Sequence, residues 1–278
     1  MITTWSAGLA DQNMAEDILV ELAGIVRRHP WWKARTALTL ALLEQLDVCP
    51  PAWICDAGCG WGSTLAGLER RGYRAVGVDI SRAMLERLER ERPGRDLIVA
   101  DLTRPLPPGA GGYDAVLALD VIEHIDEDRA AVERLGQLAR NGGVVVVSVP
   151  ALPDLYTEFD AIQGHRRRYL PETLRDAFAG TGLELESVFW WGSWLVPLLR
   201  RQRARPRARP GESVSAAYAR YLKLPPWPAP LALRLGFALE HVWALSGRLS
   251  TGTSLFAVAR RPGATAGLSS QSLATSRS

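Results

Sequence analysis

Cysteine is scarce in this 278-residue chain, which contains only Cys49, Cys55 and Cys59. The number is odd, and Cys55 and Cys59 fall in a segment whose pattern indicates a buried strand and the turn after it. A framework of disulfide bonds is therefore excluded, and the free thiols favour a reducing compartment. We expect a cytoplasmic protein on this ground.

Long apolar runs are also missing. No stretch reaches the roughly 18 uncharged apolar residues needed to span a bilayer, and the N-terminal residues lack the basic and apolar regions of a secretory signal. The chain is nevertheless 47% hydrophobic, which is enough to bury one substantial core. We expect one α/β core with added elements.

Acidic residues are absent from Arg200–Arg209, a stretch that holds six arginines. The other 27 basic residues of the chain face 30 acidic ones, so the net charge of +3 comes from this segment. An aromatic and aliphatic run that begins at Trp190 leads directly into it. The basic character of the chain therefore belongs to one place.

The segment Trp190–Arg209 has the composition of an interfacial membrane anchor, and each arginine near an anionic leaflet adds about 1 kcal/mol. One interpretation is a peripheral attachment to the inner face of the membrane. The other is a hydrophobic lid with a solvated arginine linker, and both stay open. Nucleic-acid binding is not favoured, because no aromatic platform interleaves the arginines.

A glycine-rich motif, ICDAGCGWG over residues 54–62, is the most informative feature present. It predicts a buried strand, a tight turn and a helix. A second strand then ends at Asp79, 21 residues beyond Gly58, where a carboxylate can accept hydrogen bonds from ribose hydroxyls. This is the arrangement of a nucleoside site at the switch point of an open α/β sheet.

The third glycine of a dinucleotide fingerprint is missing, because Ser63 stands at its position. Asp56 precedes the glycines, and a carboxylate there would repel a pyrophosphate and suit a ligand with an ammonium group. The sequence thus disfavours an NAD-dependent oxidoreductase.

At this point the chain resembles the class I S-adenosylmethionine (SAM)-dependent methyltransferases, in particular the bacterial type 11/12-like group. The first motif, the acid at Asp79, a third strand ending at Asp101, a fourth ending at Asp120 and a valine-rich fifth strand follow in that family's order. The resemblance implies SAM as cofactor and a doubly wound, mostly parallel sheet of seven strands. It also implies cofactor contacts from Asp56, Gly58, Gly60, Asp79, Ile80, Asp101, Leu102 and Leu119, with Asp79 on the ribose and Asp101 at the adenine amine.

The domain organisation follows from this pattern. We expect an N-terminal helical cap over residues 1–48, a SAM-binding core over 49–192, a partly helical hydrophobic cover inserted over 193–250, the last strand over 251–261 and a disordered tail over 262–278. Trp31 and Trp32 in the cap either pack its helix onto the sheet or form a lid over the cofactor.

Two histidines are candidate general bases. His165 lies in the segment GHRRRY after the fifth strand, and His124 lies just past the fourth. The spacing D-x-x-E-H of Asp120, Glu123 and His124 resembles the E-x-x-E-H of certain metal-using methyltransferases, although this chain has Asp first. We predict no metal, and keep a divalent ion at these residues and His165 as the alternative.

The function expected is O-methylation of a small-molecule or lipid-linked, amphipathic acceptor by direct in-line transfer. The alternatives are a non-catalytic SAM-binding scaffold and a metal-assisted methyltransferase that acts on a soluble metabolite.

Overall fold

An eight-stranded sheet organises the part of the chain that the computed structural model describes, namely residues 2–6, 22–203, 216, 219–220, 222–223 and 228–263. The strands are β1 (Ile2–Thr4), β2 (Trp53–Ala57), β3 (Arg74–Asp79), β4 (Asp96–Val99), β5 (Tyr113–Leu119), β6 (Ala139–Pro150), β7 (Glu184–Trp191) and β8 (Ser254–Arg260).

The strands lie in the order β1-β4-β3-β2-β5-β6-β8-β7. All neighbouring pairs are parallel except those of β8, which is antiparallel to both β6 and β7. The chain moves outward from β2 through β3 to β4 and then returns to β5 beside β2. The switch point expected of a doubly wound sheet therefore lies between β2 and β5.

Helices cover both faces of the sheet. They are α1 (Pro30–Gln45), α2 (Ser63–Arg70), α3 (Arg82–Glu91), α4 (Asp128–Leu138), α5 (Glu158–Ile162), α6 (Pro171–Phe178), α7 (Val196–Arg203) and α8 (Ala229–Leu245). Alternate residues of the buried strands face opposite sides: Ile54 packs with α1, whereas Cys55 packs with the α4 and α6 side. Both faces are buried, which explains the unbroken valine run of β6.

The α/β class predicted from the sequence is confirmed. The sequence predicts seven strands, and the structure has eight. The predicted strands are β2 to β8, and β1 adds a short edge beside β4. β1 lies inside residues 1–48, for which the sequence predicts a helical cap. A strand of three residues is too short to give a periodicity signal, so the sequence does not reveal it. The rest of that stretch agrees in part: residues 22–26 are helical, the chain turns at 27–29, and α1 begins at Pro30.

The inserted cover contributes α7 and α8. Trp191, which belongs both to the predicted core (49–192) and to the Trp190–Arg209 segment, is fully buried and pairs with Ser254 in the sheet. Its ring packs against Phe237 of α8 at 5.1 Å between centroids. Trp191 therefore cannot enter a membrane. The arginines from Arg205 to Arg209 and residues 264–278 of the predicted tail lie outside the described residues.

None of the helices formed by the described residues combines the length and the apolar character that crossing a bilayer requires.

Candidate functional site

The carboxyl ends of β2, β3, β4 and β5 meet at a cavity of about 1150 Å³. This is where an open α/β sheet leaves a crevice, because the connections after β2 and β5 leave on opposite faces. Ordinary small-molecule sites have volumes of about 300–1,000 Å³. The cavity therefore has room for a cofactor and a second molecule.

The glycine loop after β2 forms one wall, and its glycines are required for different reasons. Gly58 has φ +75°, and a Cβ there would lie 2.4 Å from Val121 Cγ2. Gly60 has φ +45°, and a Cβ there would meet no atom within 4 Å. Gly60 thus presents its backbone to the open cavity, as a loop that holds a ligand must.

Asp79 ends β3 beside that loop. One carboxylate oxygen accepts the backbone N–H of Gly60 at 2.7 Å, and the other accepts that of Ser81 at 2.9 Å. A carboxylate offers about four acceptor positions. These two bonds are therefore compatible with further bonds to ribose hydroxyls, the role predicted for Asp79.

Ile80, Asp101 and Leu102 line the same cavity at the ends of β3 and β4. The Asp101 carboxylate accepts bonds from the Thr103 N–H at 2.8 Å and the Thr103 hydroxyl at 2.7 Å. These local bonds fix its position at the expected adenine end.

Asp56 lies beneath the loop and does not line the main cavity. Burial raises its pKa to about 7, an effect that Arg35 opposes and Asp79 reinforces. Its Oδ2 has no hydrogen-bond partner among the described residues. The cofactor contact predicted for Asp56 stays a prediction.

Arg35 of α1 reaches over the end of β5. Its guanidinium pairs with the Asp120 carboxylate and donates to the Leu119 carbonyl at 3.2 Å. It also lies over the Trp31 ring, 5.1 Å from the centroid. Asp120 has φ +58°, an uncommon angle for a residue with a side chain. The pair thus fixes α1 over the cavity edge that Leu119 lines.

Tryptophans form the wall contributed by the N-terminal helix. Trp32 contacts Trp31 edge to face at 5.2 Å and Trp61 of the glycine loop at 6.1 Å. All three line the cavity, and Trp31 also packs on Trp191 at 5.4 Å. These contacts support both roles considered for the pair, packing and covering the site.

His165 is held by a buried carboxylate. Its Nδ1 lies 3.0 Å from Asp160 Oδ1, which also accepts a bond of 2.8 Å from Arg168 Nε. Burial acts against ionisation of Asp160, but the bond from His165 and the charge of Arg168 lower its pKa overall. An ionised Asp160 favours the tautomer with the proton on Nδ1. His165 Nε2 is then the basic atom.

His124 and Glu123 lie beside His165. The two imidazole rings meet edge to face at 4.8 Å, and burial, with His165 next in effect, lowers the pKa of His124 to about 3. Glu123 is fully buried, and neither of its carboxylate oxygens has a hydrogen-bond partner among the described residues. Burial, reinforced by Asp120, raises the Glu123 pKa well above its ordinary value.

These three residues offer donor atoms that all lie within 4.8 Å of one another. Donors on one ion at about 2.0–2.2 Å lie at most about 4.4 Å apart, so a small contraction would suit a divalent cation. Asp120 is not in this cluster, because it is paired with Arg35. Of the D-x-x-E-H motif, Glu123 and His124 therefore lie in the cluster with His165, whereas Asp120 does not.

The cover supplies the remaining wall, which is mostly apolar. The cavity is lined here by Trp194, Leu198, Leu199, Leu233 and Phe237, and Lys223 of the cover also lines it. Glu240 of α8 accepts the backbone N–H groups of Gly192 at 3.1 Å and Ser193 at 2.5 Å, which anchors the cover to the end of β7.

The sequence analysis predicts neither the Arg35–Asp120 pair nor the role of Glu240. The Arg35–Asp120 pair spans 85 residues, and no local pattern links its members. Glu240 left a signal, since it is the only acidic residue in the apolar helix α8.

Comparison with known proteins gives a consistent picture. A family profile described as a methyltransferase domain matches residues 32–188. The ubiquinone biosynthesis O-methyltransferase of Alkalilimnicola ehrlichii is 33% identical over 102 residues, which cover 34% of this chain and 40% of that protein. The malonyl-[acyl-carrier protein] O-methyltransferase of Pseudescherichia vulneris is 26% identical over 159 residues, which cover 55% and 59%. The chain spans about half the length of the curated relatives it matches.

Among solved structures, a chain from the complex of the Trm112 methyltransferase activator with a methyltransferase of Haloferax volcanii aligns with a TM-score of 0.55. It is 16% identical, and the alignment covers 92% of this chain and 100% of that one. At this identity the likeness concerns the fold alone.

Proposed function

Because the chain belongs to the class I SAM-dependent methyltransferase family, we propose that it transfers the SAM methyl group to an oxygen atom of an amphipathic or lipid-linked acceptor. One observation carries the acceptor class: the cavity runs from the glycine loop to an apolar wall formed by the cover. Such a wall suits the hydrocarbon part of an acceptor whose hydroxyl or carboxyl group points towards His165.

The residues at the loop fit the cofactor. Gly60 leaves its backbone open to the cavity, and Asp79, Asp101 and Leu102 follow on adjacent strand ends. When bound there, SAM supplies a methyl group on a sulfonium, which an oxygen nucleophile displaces in line. The protein's part is mainly to position the partners.

Proton removal falls to His165 in this proposal. Asp160 holds Nδ1–H, so that Nε2 can take the proton of an acceptor hydroxyl as the oxygen becomes an ether. Trp31, Trp32 and the apolar cover limit the access of water to the site. A carboxylate acceptor would need no base, and His165 would then only orient it.

The test uses purified protein, methyl-labelled SAM and a fractionated cell extract. We expect protein-dependent label in the organic-soluble fraction, and less of it at the same SAM concentration with Asp79→Ala as the control for cofactor binding. Label confined to the aqueous fraction would contradict the acceptor class and favour a soluble metabolite. Cofactor binding without transfer to any fraction would favour a non-catalytic scaffold.

A second candidate is metal-assisted transfer to a soluble metabolite, favoured by the unpartnered carboxylate of Glu123 beside His124 and His165. A divalent ion held there would lower the pKa of an acceptor hydroxyl. Equilibrium dialysis with Mg²⁺, Mn²⁺ and Zn²⁺ separates the candidates. Saturable binding that Glu123→Gln abolishes supports the metal, and no binding excludes it.

A further inference from the structure

We propose that the outer face of α8 docks on an anionic lipid surface and brings the cavity to the membrane that supplies the acceptor. This inference rests on the proposed function for its substrate, but the docking itself is tested separately. It places the membrane contact on a helix of the predicted cover (193–250) outside the Trp190–Arg209 segment.

The first step is a stripe of exposed apolar side chains along α8. The exposed fractions are 40% for Leu231, 56% for Leu235, 74% for Leu239, 71% for Val242 and 59% for Trp243. Along the chain they are separated by four, four, three and one residues, and at 3.6 residues per turn these spacings put them on one side of the helix. Soluble surfaces rarely carry so continuous an apolar stripe without a partner.

The second step is that α8 is fixed with this stripe outward. Its opposite side buries Phe237 and Ala244, and Glu240 holds the backbone at Gly192 and Ser193. The stripe is therefore not the result of a loosely placed helix. The same helix lines the cavity with one side and offers apolar side chains to the surroundings with the other.

Charge identifies the occupant. Residues 193–250 contain ten basic residues and only two acidic ones, Glu212 and Glu240, of which Glu240 is buried. Arg234 lies exposed on α8, and Arg248 lies exposed just after it. In a symmetric dimer the same patch lies on both sides of the interface, so two surfaces of like net charge would be brought together. An anionic leaflet instead accepts the leucines in its interface and the arginines at its phosphates.

Leu198 of α7, a second element of the cover, marks an opening of the cavity. It is 44% exposed and also lines the cavity, so it lies at the cavity mouth on the cover side. In this proposal, a leaflet that covers both α8 and this mouth delivers the hydrocarbon chain of the acceptor to the apolar wall.

The experiment is vesicle flotation with the full chain. Vesicles of phosphatidylcholine with about a third phosphatidylglycerol should bind the protein, pure phosphatidylcholine should bind it less, and added salt should weaken the binding. The double variant Leu235→Gln with Leu239→Gln should lower the partition coefficient at least about tenfold. Ala238→Gln is the matched control, because it puts the same side chain on the exposed side of α8 but removes only a methyl group.

No binding of the wild type to the anionic vesicles, or equal binding of the double variant, would overturn the proposal. A concentration-dependent dimer that the double variant abolishes would assign the stripe to a second copy and would also overturn it. Affinity for S-adenosylhomocysteine, measured without vesicles, should be the same in all variants and shows that they fold. Because flotation needs no acceptor, loss of the proposed activity and loss of docking are separate results.

Discussion

The Asp79 carboxylate accepts a hydrogen bond of 2.7 Å from the backbone N–H of Gly60. The side chain predicted to bind the ribose thus also fixes the loop that faces the cofactor. The carboxylate that is predicted to bind the ribose therefore also holds the shape of the cavity wall, so we expect its loss to be felt in binding more than in folding.

Asp79→Ala should weaken binding of S-adenosylhomocysteine by about 1–3 kcal/mol, since it removes a charge-assisted acceptor and releases the loop. Isothermal titration calorimetry measures this. Asp79→Asn keeps one oxygen that can accept the Gly60 N–H, so its affinity for S-adenosylhomocysteine should lie between those of the wild type and Asp79→Ala. Glu186→Ala, an exposed change on β7, is the control, and unchanged affinity in Asp79→Ala would refute the ribose assignment.

The two loop glycines should respond differently to alanine. Gly58→Ala places a methyl group 2.4 Å from Val121 Cγ2 and should lower the melting temperature, because the loop or Val121 must move. Gly60→Ala meets no protein atom and should cost only the backbone strain of about 1–2 kcal/mol, but its methyl group enters the space of the cofactor.

Gly94→Ala is the control for strain alone, since Gly94 has φ +83° and open space around it and does not line the cavity. We expect Gly60→Ala to match it in thermal unfolding and to differ from it by loss of cofactor affinity. Equal affinity in both variants would show that the loop does not face the ligand at Gly60.

The buried Asp56 should make stability depend on pH. Burial raises its pKa from 3.8 to about 7, so that between these values the folded protein holds a proton that the unfolded chain has released. The free energy of unfolding therefore falls as pH rises through this window and is level above it. Asp56→Asn should gain stability relative to the wild type on going from pH 4 to pH 8, by on the order of 2–4 kcal/mol.

Urea unfolding at both pH values measures this difference. Asp114→Asn is the matched control with the opposite sign: against the effect of burial, bonds from the Trp53 N–H and Arg140 lower the Asp114 pKa. Its carboxylate stabilises the fold above its ordinary pKa and loses that contribution in acid. A gain for Asp114→Asn equal to that for Asp56→Asn would contradict both assignments.

Sequence reasoning located the strand ends of the site because each is marked locally, by a glycine turn or by an acid after an apolar run. Gly58, Gly60, Asp79, Asp101 and Leu102 fall at the predicted edge for this reason. The sequence could not reveal the Arg35–Asp120 pair, because this pair depends on how α1 crosses the sheet. Nor could the sequence orient α8, because apolar residues fall on both its buried and its exposed side, and of its charged residues Arg234 is exposed whereas Glu240 is buried.

His165 should act in the chemical step. His165→Gln can still bond to Asp160 but cannot take a proton, so we expect kcat to fall by about 10²- to 10⁴-fold with little change in affinity for S-adenosylhomocysteine. His124→Gln is the comparison, since His124 Nδ1 has no hydrogen-bond partner among the residues that the structure describes. A larger loss in His124→Gln than in His165→Gln would transfer the role of base to His124.

Glu240 should hold the cover closed. Its carboxylate accepts the backbone N–H groups of Gly192 and Ser193, and truncation leaves one buried and one half-buried donor without this partner. Each charge-assisted bond is worth about 1.5–3 kcal/mol, so Glu240→Ala should release α8 from β7 well before the sheet unfolds. Hydrogen exchange should then speed up across Ala229–Leu245 and not across Val144–Val149 of β6. Glu240→Gln retains one acceptor oxygen and should be intermediate. Uniform acceleration in both segments would mean that Glu240 stabilises the whole domain and that the cover has no separate opening.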